Sequence, residues 1–256
     1  YWYNGFTAFK FSPPGWYFFT YPIYAITNDV KVATYLSMVL IFVLAFIVVY
    51  YFGRLANLSK IKRVVFFFLF FANAAAVGNF IRLGRVNELL SWFLFVILFF
   101  IMYYYRDKKL DKYFYVAIPI YAAIILSYHS TGVLAAVLWV GFLLTRKEIK
   151  EWVKVIGAGI ASLVVSSFWL FPFVKSIFAE SAIPHLKQGE WVWYFEANNF
   201  FTNVAVFVVP LATLVLFFIY GKKAKREDFL LFIPSMVLAV FFFLRLTPFL
   251  PIFNQI

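Results

Sequence analysis

The chain has 256 residues, of which 65% are hydrophobic and 13% are charged, and its formal net charge is +12. A soluble domain carries about 25% charged residues, so this composition indicates an integral membrane protein. The sequence contains no cysteine and only two histidines, which excludes disulfides and cysteine metal sites and disfavours a histidine-rich metal site. The basic residues lie in short loops between apolar runs, which disfavours nucleic-acid binding. We therefore expect one all-α membrane domain over residues 1–256.

The stretch FSPPGWYFFTYP at residues 11–22 begins the predicted structure. Its tryptophan and tyrosines are residue types that concentrate at membrane–water interfaces, and two prolines are tolerated where a helix starts. The pattern predicts an outer juxtamembrane helix within an outer segment at residues 1–30. Asn28-Asp29 is expected to end this helix, and Asp29 to cap the next one. A role of Asp29 in binding a cation or substrate is the alternative.

Six later runs are apolar and long enough to cross about 30 Å of hydrocarbon. They cover residues 31–53, 62–81, 86–105, 152–176, 201–220 and 228–246. Another run, 112–145, is interrupted at SYHSTG (127–132) and predicts two short helices joined by a tight turn. The sequence therefore predicts a polytopic transmembrane helix bundle of about eight spans. Its parts are core spans over 31–176, an outer loop at 177–200 and the last spans over 201–246.

The distribution of lysine and arginine predicts the orientation. Sixteen of the 23 basic residues lie in one alternating set of loops, which the positive-inside rule assigns to the cytoplasmic side of the cell membrane. These loops are 54–63, 106–112, 146–154 and 222–227. The chain begins at Tyr1 without an initiator methionine and ends shortly after LTPFLP, so we expect both termini to be truncated.

Charged residues concentrate on the outer side at NFIRLGRVNELLSW, residues 79–92. Two arginines three positions apart, Arg82 and Arg85, would suit a phosphate or pyrophosphate because guanidinium groups bind such anions bidentately. The alternative is that Arg82 reaches lipid headgroups while Arg85 pairs with Glu88. His129 lies in the predicted turn at 127–132, where it could act as a general base or donate a hydrogen bond to a phosphate oxygen. Its alternative is a turn histidine bonded to the backbone.

Three segments resemble polytopic GT-C-type glycosyltransferases, which depend on a lipid-phosphate sugar. The first is a Pro-Pro-aromatic surface helix, an Asn-Asp turn and a span with a Tyr-x-x-Gly-Arg-like end. The second is a Gly-Arg-x-x-Glu-Leu turn, and the third is a His-x-x-Gly-x-Leu turn. The matching residues are Pro13, Pro14, Tyr17, Asp29, Tyr50 or Tyr51, Gly53 and Arg54; Gly84, Arg85, Glu88 and Leu89; and His129, Gly132 and Leu134.

The resemblance implies transfer of a sugar from a polyprenyl-phosphate carrier to an acceptor on the outer side of the membrane. The family uses an acidic residue of the first outer loop as general base, but residues 1–28 contain neither aspartate nor glutamate. We therefore expect the base to lie upstream of Tyr1 or to be absent, with Glu88 and Asp29 as weaker alternatives. The resemblance names no certain cofactor and leaves a divalent cation open.

The same hypothesis assigns a binding role to six residues. Arg82 and Arg85 would bind the carrier phosphate, and His129 would donate a further hydrogen bond. Trp191, Trp193 and Tyr194 in the outer loop would provide apolar faces for sugar or prenyl groups.

Two other classes of function remain open from the sequence. A bundle of about eight spans could be a polytopic transporter, although no internal repeat supports this interpretation. The chain could also be a non-catalytic scaffold subunit, whose aromatic surface would contact other membrane subunits of a larger assembly.

Overall fold

The structure is a computed structural model that describes residues 12–82, 84–179, 211–219, 221 and 223–243. All regular elements in these parts of the chain are helices, which confirms the all-α prediction. We label them α1 (Gly15–Thr27), α2 (Val30–Phe52), α3 (Lys60–Phe71), α4 (Val86–Tyr105), α5 (Ala117–Ser127), α6 (His129–Leu144), α7 (Ile149–Ala179) and α8 (Arg226–Phe243). Residues 211–219 are also helical.

Three helices are long and apolar enough to cross a membrane. They are α2 with its short 3-10 extension (Val30–Ala56), α4, and most of α7 (Ile149–Lys175). At the usual helical rise, the twenty residues of α4 extend about 30 Å, which matches the thickness of the hydrocarbon layer. Their length and composition agree with the prediction of a membrane protein.

Helix α1 begins and ends where the sequence predicts. The carbonyl of Pro14 accepts the first helical N–H groups, and Asn28 ends the helix in the left-handed conformation with φ of 52°. Asp29 then caps α2, since its Oδ1 accepts the backbone N–H groups of Lys31 at 2.7 Å and Val32 at 3.0 Å. The expected cap is therefore confirmed.

The first turn of α1 packs into the helix bundle. Pro13, Pro14 and Trp16 are buried, and Gly15 lies directly against the C-terminal end of α5. A Cβ at Gly15 would lie 2.6 Å from the Oγ of Ser127 and closer than ordinary contact to the backbone behind it. Only glycine permits this approach, so the Pro-Pro-Gly sequence attaches α1 to the bundle.

Helix α4 lies between two hydrophobic clusters. One face of α4 packs with α1, α2 and α3, where Leu89, Phe93 and Phe100 contribute to one cluster. Its other face lies in the cluster formed with α5, α6 and α7, to which Leu98 and Met102 contribute. Helix α5 also packs along α7, and α8 packs along α6. Helix α4 thereby joins the two parts of the molecule.

The apolar run 62–81 does not form the single crossing helix that the sequence predicts. Helix α3 ends at Phe71, and a separate short helix with a π-helical turn follows over Ala74–Val77 and Gly78–Arg82. Asn73 causes the division, because its side chain donates to the Leu69 carbonyl and accepts the N–H of Ala76. An asparagine that bonds to its own backbone competes with the helical hydrogen-bond pattern.

The run 112–145 forms two short helices, as predicted. A 3-10 turn at Lys112–Val116 leads into α5, and the break before α6 is confined to Tyr128, which has extended backbone. The expected turn at 127–132 is therefore wrong in extent: His129 is the first residue of α6 and does not lie in a loop.

The remaining predictions concern the last third of the chain. Helices α7 and α8 correspond to the predicted spans 152–176 and 228–246 as far as the structure describes them. Of the predicted span 201–220, residues 211–219 are described and helical. The predicted outer loop 177–200 lies outside the described residues beyond Ala179.

Candidate functional site

The start of α4 holds the first group of predicted site residues. Gly84 has a φ of 65° and turns the chain into the helix, a conformation that glycine adopts without strain. The side chain of Arg85 is 53% exposed, and its guanidinium lies 3.6 Å from the Glu88 carboxylate. The structure thus contains the Arg85–Glu88 ion pair, which the sequence analysis gave as the alternative to anion binding.

Glu88 occupies the first turn of α4, where the helix dipole stabilises a negative charge. Its side chain is 15% exposed, and Oε1 accepts the indole N–H of Trp92 at 3.3 Å. No hydrogen-bond donor in the described part of the chain reaches the buried Oε2. Since a buried oxygen without a donor is costly, this carboxylate retains the capacity to accept one more hydrogen bond.

A hydrogen bond between two helices brings the start of α4 to the start of α6. The hydroxyl groups of Ser91 and Thr131 are 2.9 Å apart and buried. Ser91 lies one turn after Glu88, and Thr131 lies two residues after His129. The sequence analysis did not identify Ser91 and Thr131. Small hydroxyl residues inside apolar helices are a recognised signal of helix contacts.

His129 is exposed at the beginning of α6 and lies among aromatic rings. The centre of its ring is 5.2 Å from that of Tyr128 and 5.4 Å from that of Phe173 in α7. Phe173 in turn stacks on the buried Trp169 at 4.7 Å. The structure therefore places His129 at the same end of the bundle as Arg85 and Glu88, with an aromatic surface behind it.

Of the other predicted site residues, the structure describes Asp29 and the backbone of Arg82. Arg82 ends the π-helical turn, but its side chain lies outside what the structure describes. Trp191, Trp193 and Tyr194 also lie outside the described residues. Asp29 uses one carboxylate oxygen to cap α2, in agreement with the cap interpretation.

The opposite end of the bundle contains a second charged group, which we call the loop junction (residues 105–112, 145–151 and 226–228). Arg146 lies at its centre with 2% of its side chain exposed. Its guanidinium donates to the backbone carbonyls of Tyr105 and Lys108, each at 2.7 Å, and to the side chain of Thr145. Glu151 lies 3.6 Å away.

The charges of the loop junction balance one another across the loops. Burial lowers the pKa of Arg146, and the nearby carboxylates of Glu151, Asp107 and Glu227 oppose that shift. An arginine remains charged in proteins, so these carboxylates stabilise a buried cation. Further pairs join Arg106 to Asp228 and Lys147 to Glu227.

The junction surrounds an open cleft of about 140 Å³. Arg146 lines this cleft, but its N–H groups already point to backbone carbonyls, Thr145 and Glu151. A guanidinium with its donors in use cannot bind a substrate phosphate as well. The loop junction therefore holds helices together, and the Arg85, Glu88 and His129 group is the better candidate site.

Within the described residues, no group of three or more histidine, aspartate or glutamate side chains could hold a metal ion. Comparisons with known proteins yield no match to the chain among family models, curated proteins or solved structures. The function must therefore be argued from the residues themselves.

Proposed function

We propose that the chain is a polytopic membrane glycosyltransferase that takes a sugar from a polyprenyl-phosphate carrier. In this proposal about eight segments cross the cell membrane, and the loops 54–63, 106–112, 146–154 and 222–227 face the cytoplasm. The three helices of spanning length support the membrane location. The Arg85, Glu88 and His129 group then lies on the outer side, where the acceptor would be.

The observation that carries the proposal is the contact of Ser91 with Thr131 at 2.9 Å. It brings the beginnings of two helices together, so that a cation and an imidazole lie at one end of an apolar bundle. An apolar bundle with an exposed guanidinium at its end suits a ligand with a hydrocarbon tail and an anionic headgroup.

The reaction requires one bond to break and one to form. An acceptor oxygen would attack the anomeric carbon while the bond from that carbon to the carrier phosphate oxygen breaks. The electron pair stays on the phosphate, whose increased negative charge Arg85 would stabilise. The acceptor's proton goes to a general base. Asp29 is poorly suited to this role because its Oδ1 already caps α2. Oε2 of Glu88 accepts no hydrogen bond among the described residues, but the Arg85 guanidinium lies 3.6 Å from that oxygen.

Binding of a polyprenyl monophosphate to the purified full chain in detergent tests the proposed role of Arg85. Charge-assisted hydrogen bonds contribute about 1.5–3 kcal/mol, so R85A should weaken binding by about 10-fold to 100-fold. R85K should fall between R85A and the wild type, because lysine keeps the charge but loses the bidentate geometry. Titration followed by thermal shift or by native mass spectrometry measures the dissociation constants.

Lys31 provides the control, since it is an exposed lysine at the start of α2 and belongs to neither charged group. K31A should bind the carrier like the wild type. Equal affinity of R85A and K31A would eliminate Arg85 as the phosphate ligand. Loss of binding accompanied by an altered near-ultraviolet circular dichroism spectrum would show that R85A is misfolded. The affinity of a correctly folded R85K would then test the role of Arg85 in phosphate binding.

A non-catalytic scaffold subunit is the second candidate function. It is favoured by the pairing of Arg85 with Glu88, because a guanidinium that already has a carboxylate partner needs no external anion. Absence of polyprenyl-phosphate binding by the wild-type chain would support this candidate.

A further inference from the structure

The end of the bundle that carries the loop junction also carries an unusual surplus of positive charge. We define the basic face as residues 53–63, 105–112, 145–154 and 223–228. These residues include fifteen lysines and arginines and six aspartates and glutamates. The four segments share one end of the bundle, since Phe52 contacts Phe100 near the end of α4 and the other three meet in the loop junction.

The fold uses most of the carboxylates of this face internally. Asp111 accepts the hydroxyl of Tyr105 at 2.6 Å, and Glu151 accepts the N–H of Leu110 at 3.1 Å. Glu227 and Asp228 pair with basic residues across the junction. Of the six carboxylates, the exposed Asp107 and Glu148 make no such contact among the described residues.

Fewer of the basic side chains of this face bond to other groups of the protein. Arg63, Arg106, Arg146 and Lys147 bond to carbonyls or carboxylates within the protein. The other eleven basic side chains of the face are exposed and have neither partner in the described part of the chain. Among the described residues, eleven cations therefore have no carbonyl or carboxylate partner, against two such carboxylates, although Lys108 and Lys112 lie over tyrosine rings. The surplus of nine positive charges in the sequence is thus not consumed by contacts within the protein.

These cations lie beside exposed apolar side chains on the same helices. Lys60 and Lys62 flank Ile61, which is 77% exposed, and Phe68 further along α3 is 56% exposed. In α7, Lys150 and Lys154 likewise flank Val153, which is 64% exposed. A row of cations next to apolar surface fits a boundary between headgroups and acyl chains, whereas a nucleic acid would leave the apolar groups in water.

Helix α3 has a further reason to require an external anion. Lys60, Lys62 and Arg63 occupy its first turn, and no acidic residue lies there. The helix dipole makes positive charge unfavourable at this end. Lipid phosphates would offset both the dipole and the three cations.

We propose that the basic face binds anionic phospholipid headgroups and selects them over zwitterionic ones. The inference rests on the membrane location and not on sugar transfer. It assigns a lipid-selective surface to the end of the bundle opposite Arg85, so the two proposals can fail separately.

Trp152 offers a reporter for this surface. It lies between Lys150 and Lys154 with 38% of its surface exposed, and bromine atoms on nearby acyl chains would quench its fluorescence. The full chain is reconstituted in phosphatidylcholine vesicles that contain either brominated phosphatidylglycerol or brominated phosphatidylcholine. The W152F variant identifies the share of the quenching that comes from Trp152.

We expect brominated phosphatidylglycerol to quench Trp152 more strongly than brominated phosphatidylcholine, and high salt to reduce the difference. Each lysine near an anionic membrane surface strengthens the association with that surface about fivefold. K150Q/K154Q should therefore lower the association of phosphatidylglycerol, relative to phosphatidylcholine, at least about tenfold. The matched control is K31Q/K175Q, which removes two exposed lysines away from the basic face and should behave like the wild type.

Equal quenching by the two lipids in the wild type would overturn the proposal, as would equal behaviour of K150Q/K154Q and K31Q/K175Q. Displacement of phosphatidylglycerol by a random oligonucleotide would reassign the face to nucleic acid. Thermal unfolding of each variant in phosphatidylcholine shows whether it is folded. A misfolded K150Q/K154Q would be replaced by K60Q/K62Q, for which the same loss of selectivity is expected.

Discussion

At the scale of single residues, arginine side chains stabilise the C-terminal ends of two helices. Arg63 donates to the carbonyl of Tyr50 at the end of α2, and Arg146 donates to that of Tyr105 at the end of α4. The last carbonyls of a helix lack partners within the helix and carry partial negative charge. The basic residues that predict which loops face the cytoplasm thus also donate hydrogen bonds to the last carbonyls of helices.

Replacement of Arg146 tests this role. R146A leaves Glu151 and several buried carbonyls without their partner, and breaking a buried ion pair typically costs about 3–5 kcal/mol. We expect R146A to lower the free energy of unfolding by that amount in detergent, and R146K to lower it less. Denaturant unfolding followed by near-ultraviolet circular dichroism measures both.

The control for Arg146 is the neighbouring K150A, which removes an exposed lysine and should change stability by less than about 0.5 kcal/mol. If R146A were as stable as K150A, the hydrogen bonds at the loop junction would contribute nothing to folding.

At the scale of helices, close backbone approach decides which helices pair. Gly141 in α6 lies against the backbone of Leu231 in α8, so that a Cβ there would be 2.1 Å from the Leu231 carbonyl oxygen. Helix α7, in contrast, carries Gly157 with no atom within 4 Å of its would-be Cβ. Two helical glycines in similar apolar sequence therefore have opposite structural roles.

Alanine substitution at these two positions provides a matched pair. G141A should push α8 away from α6 and destabilise the protein by about 3 kcal/mol, the upper end of ordinary overpacking. G157A should stabilise it by about 0.5–1 kcal/mol, because alanine favours the helix and no clash opposes it. Thermal and denaturant unfolding of both variants gives the sign. A neutral G141A would mean that α6 and α8 do not pack closely.

At the scale of the whole molecule, the two ends of the bundle differ in how their charges are used. One end has the Arg85, Glu88 and His129 group, with an exposed cation and a carboxylate oxygen that lacks a donor. The other end has interlocked ion pairs below a basic surface. Because the carboxylates of the loop junction connect loops from different helices, protonating them should weaken the whole bundle.

The stability of the protein should therefore depend on acid pH. The hydroxyl of Tyr105 lowers the pKa of Asp111, and hydrogen bonds from its own backbone N–H and from Lys147 lower the pKa of Glu227. A pKa that is lower in the folded state contributes stability above the unfolded value, near about 4. This contribution is lost as the pH falls through the folded-state pKa.

We expect the midpoint temperature of thermal unfolding to decrease when the pH is lowered below about 4. The decrease should be smaller in the D111N/E227Q variant, which is already less stable at neutral pH. E148Q is the control, since Glu148 is exposed and its carboxylate accepts no hydrogen bond among the described residues. An acid response of D111N/E227Q equal to that of the wild type and E148Q would place the titrating groups elsewhere.

The sequence alone predicted the class and most of the helices. Long apolar runs can satisfy their backbone in a membrane only as helices, so α2, α4 and α7 follow from composition. The Asn28-Asp29 boundary followed from the local chemistry of capping. The division of the run 62–81 was missed because apolar composition continues through it, whereas the side chain of Asn73 makes a local hydrogen bond that a hydropathy pattern does not register.

Tertiary structure decided the rest, because side-chain partners depend on which helices become neighbours. Sequence spacing gave the Arg85–Glu88 pair as one alternative, since residues three apart share a helix face. It could not give the contact of Ser91 with Thr131, forty positions apart. Nor could it give the burial of Arg146, which requires loops from three helices to meet. The sequence determined that this protein is an apolar helical chain, and packing decided where its charges remain free to bind a partner.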